Sequence, residues 1–244
     1  MVGKLLVGAW CAISGILAAV SSPAVRKTYW SALLILLGVG WGMSALLLWA
    51  VFHLVSIPAT ASVWAEIGWW VLRVVLSLGA LLVAAVLALP VAQLIAPRFC
   101  AAPFFAGFRR RSPLRATSLM AAPGLSMRAA LEALFRRLPR FVGVAGLAFA
   151  SSFVPVVGGP VAATLHWGNA AWMVCSELLD PYFEARGLDH ARQTELMARH
   201  RFECLGFGLV CAPLLAMPVL GPFFFAWLQA AAAELVADVL ELDA

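Results

Sequence analysis

Apolar runs and basic clusters alternate along this 244-residue chain. Tyr29 to Val55 is a long apolar run with a single histidine, His53, and Ile67 to Ile95 is a second that carries Arg73 near one end. Crossing the hydrocarbon of a bilayer takes about 20 residues, so both runs predict spanning helices. The stretch between them, 56–66, holds no Lys or Arg and is assigned to the outside, because basic residues collect on the cytoplasmic side. Trp64, Trp69 and Trp70 fall where an interfacial aromatic belt is expected.

Two more apolar segments lie in the C-terminal half, and both are interrupted. Phe141 to Leu179 breaks at Pro155-Val156-Val157-Gly158-Gly159-Pro160, and Leu205 to Leu240 breaks at Pro218-Val219-Leu220-Gly221-Pro222. The breaks are alike apart from a one-residue gap, and each is followed by an acidic, leucine-rich end, so the pattern reads as a weak repeat of a helical hairpin. The arm 205–217 is short: at about 1.5 Å per residue it reaches roughly 20 Å, against about 30 Å of hydrocarbon. That arm predicts a re-entrant hairpin, whereas the first hairpin is long enough to cross. Irregular backbone at membrane depth is tolerated where it lines a wet cavity or is buried in protein, so the breaks suit either a permeation path or an oligomer interface.

Residues 5–20 are apolar after Lys4 and have the length of a signal peptide. Trp10 lies within the run, however, no clear small-x-small cleavage site follows, and another hydrophobic segment does. A retained interfacial helix is expected over 1–28. Between the two halves, Pro97, Pro103, Pro113 and Pro123 are expected to break a cytoplasmic connection that carries Arg109, Arg110 and Arg111. Ser126 is placed to cap a helix. Met127, Leu131, Leu134, Phe135 and Leu138 share one face of it, with Arg128, Arg136 and Arg137 off that face. Such a helix suits a membrane surface or the protein's own cytoplasmic face.

Composition agrees with lipid as the solvent. The chain is 64% hydrophobic and 12% charged, where a soluble domain has about 25% charged residues. The net charge of +5 fits contact with anionic headgroups better than nucleic-acid binding, and no nucleic-acid motif occurs. Cys11, Cys100, Cys175, Cys204 and Cys211 are odd in number and irregularly spaced, with no Cys-x-x-Cys; they read as small apolar residues and not as a disulfide framework or zinc site. His53, His166, His190 and His200 have no ligand spacing, so no metal and no cofactor is expected. No hydrolase, kinase, phosphate-loop or metalloprotease motif is present, and the chain is not expected to be an enzyme. Glu177, Asp180 and Glu184 have helical spacing, but Pro181 is expected to interrupt them; they read as a solvated end.

One stretch carries a chemical signal. Ser21-Ser22-Pro23-Ala24-Val25-Arg26-Lys27 puts proline at a helix start, where it suits the first helical position. Backbone N–H groups at such a start favour an anion. Arg26 and Lys27 follow within a turn, and guanidinium binds tetrahedral oxyanions bidentately. The same pair would also serve as ordinary topology anchors. Arg73 is costly inside a span and often functional there, or it snorkels to the nearby outer surface. His166, in the first hairpin, is a pore-lining donor or a packing histidine.

Several segments resemble the family that unites bacterial CysZ sulfate permeases with eukaryotic etoposide-induced membrane proteins. Ala171-Trp172-Met173 through Leu179-Asp180-Pro181-Tyr182 is similar to its segment ending in an aspartate-proline pair. Arg199-His200-Arg201, Leu205-Gly206-Phe207-Gly208 and Met217-Pro218-Val219-Leu220 resemble its most recognisable block. Gly15 to Leu17, Ser22-Pro23, Arg26-Lys27 and Ile95-Ala96-Pro97-Arg98-Phe99 resemble its N-terminal half. The resemblance implies two full spans, helices that penetrate part of the bilayer, oligomerisation, and sulfate binding by Pro23, Ala24, Val25, Arg26 and Lys27. The chain departs from the bacterial pattern at Lys27, in place of arginine, at Pro181, which follows Asp180 directly, and at Gly221-Pro222 followed by three phenylalanines.

The expected protein is therefore an all-α polytopic membrane protein with two spanning helices and two Pro/Gly-broken hairpins. Its single membrane domain divides into 1–28, 29–96, 97–140, 141–182, 183–204 and 205–244. The expected function is permeation of sulfate or a similar oxyanion, with Arg73, Gly158, Gly159, His166 and Gly221 as pathway candidates. The rival function is a non-transporting scaffold or a structural subunit of a larger complex. Expected partners are the anion, anionic lipid headgroups, and either further copies of the chain or other subunits. The expected location is a bacterial inner membrane, or an endoplasmic-reticulum or organelle membrane in a eukaryote.

Overall fold

A computed structural model describes residues 1–56, 62–120, 142–144, 146–154, 157–217 and 220–241, with the single positions 132, 135 and 139. The described residues form helices α1 (Val2–Ser21), α2 (Pro23–Leu54), α3 (Val63–Ile95), α4 (Pro97–Arg111), α5 (Pro113–Met120), α6 (Val142–Ser151), α7 (Gly158–Ala185), α8 (His190–Arg199), α9 (Arg201–Leu215) and α10 (Gly221–Leu235). A π-helical turn, Val236–Leu240, continues α10. No strand occurs among the described residues. The chain is an all-α polytopic integral membrane protein. Four stretches are long and apolar enough to cross a bilayer: Val2–Ser21, Pro23–Leu54, Val63–Leu81 and Gly221–Leu240. The two spans expected from 29–96 are among them.

Prolines set several boundaries. Pro23, Pro97 and Pro113 each occupy the first position of a helix, where the missing N–H costs nothing. Ser22, one residue before Pro23, is extended (φ −82°, ψ 119°) and separates α1 from α2, because the proline ring disfavours the α conformation of the residue before it. Other prolines do not break their helices. Pro103 lies inside α4, Pro181 inside α7 and Pro213 inside α9. The expected breaks at Pro103 and Pro181 are thus corrected: packing on neighbouring helices outweighs the loss of one backbone hydrogen bond. Pro123 and the stretch from Ser126 to Leu138, apart from the single positions Glu132 and Phe135, lie outside the described residues. So does most of the loop between α2 and α3.

The chain divides into two compact units, Met1–Trp30 with Ala101–Ala244, and Ser31–Cys100. The first unit is assembled from close backbone approaches. Gly8 of α1 lies against the backbone of Glu203 in α9, and Gly206 of α9 lies against the backbone of Leu5 in α1. A Cβ at Gly15 would stand 2.7 Å from the Cα of Ala231 in α10. Gly208 meets Ala171 of α7 in the same way, and Gly107 of α4 meets Ala230. In lipid, where apolar burial gives little drive between helices, small residues let backbones gain van der Waals contact. Gly8, Ala12, Gly15 and Ala19 form the buried face of α1, while Leu6, Trp10, Ile13 and Leu17 are exposed on the other. The expected interfacial helix is, in this fold, packed along one side by α9 and α10.

The two breaks are built alike. The Gly158 N–H donates to the Val154 carbonyl at 3.0 Å, and the Gly221 N–H donates to the Met217 carbonyl at 2.6 Å. A Cβ on Gly158 would strike the carbonyl of Ser151, the last residue of α6. A Cβ on Gly221 would come within 2.5 Å of the carbonyl of Leu215, the last residue of α9. Each outgoing helix therefore starts against the end of the incoming one, which only glycine permits. α9 has 15 residues, roughly 22 Å of helix, too short to cross alone.

In the second unit, α2 and α3 are covered by little protein: the most apolar window of α2 is 6% buried and that of α3 is 0% buried. Arg73 of α3 ties the two together. Its Nε donates to the Val55 carbonyl at 2.7 Å, just past the end of α2, and its guanidinium lies over the rings of Phe52 and Trp70.

Candidate functional site

The first turns of α2 present two faces. Ser22, Val25 and Tyr29 are buried at spacings of three and four. Val25 packs against Ala19 and Ala230, with Ala106 and Trp227 beside it, and Tyr29 stacks on Trp227 with ring centroids 4.9 Å apart. This docking on α10 fixes the rotation of α2, so Pro23, Ala24, Arg26 and Lys27 fall on the exposed side. The helix start also sorts its own donors. Pro23 has no N–H, and the Arg26 N–H is taken by the Ser22 carbonyl at 3.0 Å. The amides of Ala24 and Val25 are the ones α2 itself cannot satisfy. Of the five residues marked by the sequence, Ala24 exposes a free amide and Arg26 and Lys27 offer cations within about a turn, whereas Val25 is fully buried.

Five other basic residues of this unit are paired with carboxylates. Arg110 pairs with Glu234, and Arg111 pairs with Glu234 at 3.4 Å and with Asp238 at 2.9 Å. Arg115 and Arg186 share the buried carboxylate of Glu241, at 3.3 and 2.9 Å. Lys4 pairs with Glu203 at 3.3 Å. Arg26 and Lys27 make no ion pair among the described residues. A bound anion at this helix start would meet two cations that no carboxylate pairs with among the described residues.

This acidic seam along the end of α10 was not read from the sequence. A signal was present: Glu234, Asp238 and Glu241 recur at spacings of four and three, as the basic residues 110, 111 and 115 nearly do. What the sequence could not supply was that α4 and α5 lie beside the end of α10.

The remaining marked residues are not gathered at one point. Gly158 and Gly221 are buried at the two breaks, and Gly159 is exposed. His166 is exposed on α7 with its ring 6.4 Å from that of Trp167. Arg73 belongs to the second unit, where its carbonyl bond and two aromatic rings hold it at the helix end. No group of three or more metal-ligating side chains occurs among the described residues. Cys11, Cys100, Cys175, Cys204 and Cys211 are all buried free thiols.

The structure is thus that of an integral membrane protein with an exposed cation pair at a helix start that makes no ion pair among the described residues. The chain belongs to the family described as sulfate transporter CysZ/etoposide-induced protein 2.4, which it matches over residues 11–226. A comparison with curated proteins gave no match.

Proposed function

We propose that this protein is a membrane permease for sulfate or a similar oxyanion, and that the anion is captured at the start of α2. Arg26 and Lys27 supply the charge, and the exposed amide of Ala24 supplies a directed donor, with Val25 seating the helix start on α10. The observation that carries the reading is the contrast in pairing: the cations around Glu234 and Glu241 are neutralised, whereas Arg26 and Lys27 are exposed and make no ion pair among the described residues. Family membership supports the same substrate class. The breaks at Gly158–Gly159 and at Gly221, with His166 beyond the first, are the pathway elements in this reading. Arg73 holds the second unit together in it, and does not touch the anion. The protein works as a homo-oligomer or with other membrane subunits, in a bacterial inner membrane or in an intracellular membrane of a eukaryote.

The test is radiolabelled sulfate uptake by proteoliposomes, comparing wild type with Arg26→Ala/Lys27→Ala. Uptake that falls at least about tenfold in the double variant is expected, given about 1.5–3 kcal/mol for a hydrogen bond to a charged group. A correctly assembled wild-type protein that moves no sulfate would sink the permease and leave a membrane scaffold.

A further inference from the structure

A second basic site lies away from the start of α2, in the same unit. α7 ends in a glycine turn: Gly187 adopts φ +62°, the Leu188 N–H donates to the Phe183 carbonyl at 2.9 Å, and the Gly187 N–H donates to the Glu184 carbonyl at 3.0 Å. That pair of bonds is the Schellman closure. α8 begins two residues later, with the Asp189 carboxylate accepting from the Arg192 N–H at 2.9 Å as an N-cap. The Gln193 amide donates to the Leu188 carbonyl at 2.8 Å. The corner between the two helices is thus fixed from both sides.

The corner encloses a cleft of about 260 Å³. Arg192, Glu195, Leu196 and Arg199, at helical spacings of three and four, line it from α8, and Tyr182 and Arg186 line it from α7. Tyr182 and Leu196 give it an apolar floor. The Arg186 guanidinium lies 5.7 Å from the centre of the Tyr182 ring and is held there by Glu241. Arg199 has one long contact to Glu195, at 3.5 Å, and Arg192 has no ion pair among the described residues. Three arginines therefore line a cleft with one glutamate; Arg186 is paired with Glu241, Arg199 has its long contact to Glu195, and Arg192 makes no ion pair among the described residues.

We propose that this cleft binds a phosphate monoester carried on an organic body. Such a group has a charge of about −1.5 to −2 and three strong acceptor oxygens, and guanidinium groups match it with paired, directed donors. The apolar floor suits the body that carries the phosphate. A lipid headgroup and a small soluble phosphate share this chemistry. The site is distinct from the Arg26–Lys27 site, and neither proposal depends on the other.

The experiment uses the full chain in zwitterionic detergent. Native mass spectrometry measures retention of dioleoyl phosphatidic acid against dioleoyl phosphatidylcholine, and calorimetry at fixed ionic strength measures binding of inorganic phosphate. The variants are Arg192→Gln/Arg199→Gln and, as a control for charge alone, Arg98→Gln, an exposed arginine of the second unit. Should the double variant aggregate, Arg192→Gln alone replaces it. We expect wild type to bind at least one probe, the cleft variant to lose affinity by about tenfold or more, and Arg98→Gln to bind as wild type does. Retention of phosphatidic acid alone assigns the site to a headgroup; binding of inorganic phosphate alone assigns it to a soluble anion. Failure of wild type to bind either probe overturns the proposal. So does equal binding by wild type and the cleft variant, or an equal loss in Arg98→Gln.

Discussion

The two units of this protein solve the same problem by different means. Unit one, Met1–Trp30 with Ala101–Ala244, carries its own interior: backbone meets backbone at Gly8, Gly15, Gly206 and Gly208, and carboxylates at the end of α10 collect the arginines of α4, α5 and α7. Unit two, Ser31–Cys100, has long helices whose apolar side chains, Trp41, Trp49, Val71 and Val75 among them, are open. Such an exposed surface suits contact with lipid or with another apolar protein surface. The contrast teaches that high hydropathy does not by itself mark the core of this chain. Within this chain the core is marked by small residues.

The comparison breaks most easily at the α1–α9 crossing. Gly206→Leu places a side chain on the Leu5 backbone, and overpacking of this kind costs about 1–3 kcal/mol or more. Thermal unfolding in detergent is expected to show loss of the folded species or a large drop in melting temperature. The matching change in unit two, Gly79→Leu, enters open space and is expected to shift stability by less than about 0.5 kcal/mol. Equal effects at the two glycines would erase the distinction between the units.

Smaller effects sharpen it. Glu241→Ala removes one buried acceptor from both Arg115 and Arg186; with those arginines half exposed, a loss of about 1–2 kcal/mol is expected. The Tyr182 phenol, whose titration burial pushes upward, becomes a reporter, since removal of the nearby carboxylate lowers its pKa, measurable by ultraviolet titration. In unit two, Arg73→Ala gives up the bond to the Val55 carbonyl and is expected to cost about 1 kcal/mol. Sulfate uptake by that variant stays at the wild-type level if Arg73 only holds α2 to α3. The smallest expected effect in unit one is Gly187→Ala, where the left-handed backbone makes a Cβ cost about 1 kcal/mol. It is measured against Gly159→Ala, which meets open space.

Much of this was legible in the chain. The spans of α2 and α3 follow from the apolar runs, the α1–α2 boundary from Ser22-Pro23, and the two similar breaks from proline and glycine at matching positions. The candidate oxyanion site was legible as a motif, but not the sorting of its donors, which depends on Val25 and Tyr29 facing α10. Pro103 and Pro181 misled because a proline's local cost is fixed by the chain, whereas its compensation comes from neighbouring helices. The seam of Glu234, Asp238 and Glu241 was invisible as a seam, since the pairs join residues more than a hundred positions apart along the chain for α4 and α5.

The sequence by itself determined the solvent of this protein and the places where its helices start and turn, because hydropathy and proline act locally. Only the tertiary structure decided which cations are neutralised and which stay available, and which glycines are indispensable. Both depend on distances between helices, and those distances are set by packing and not by order along the chain.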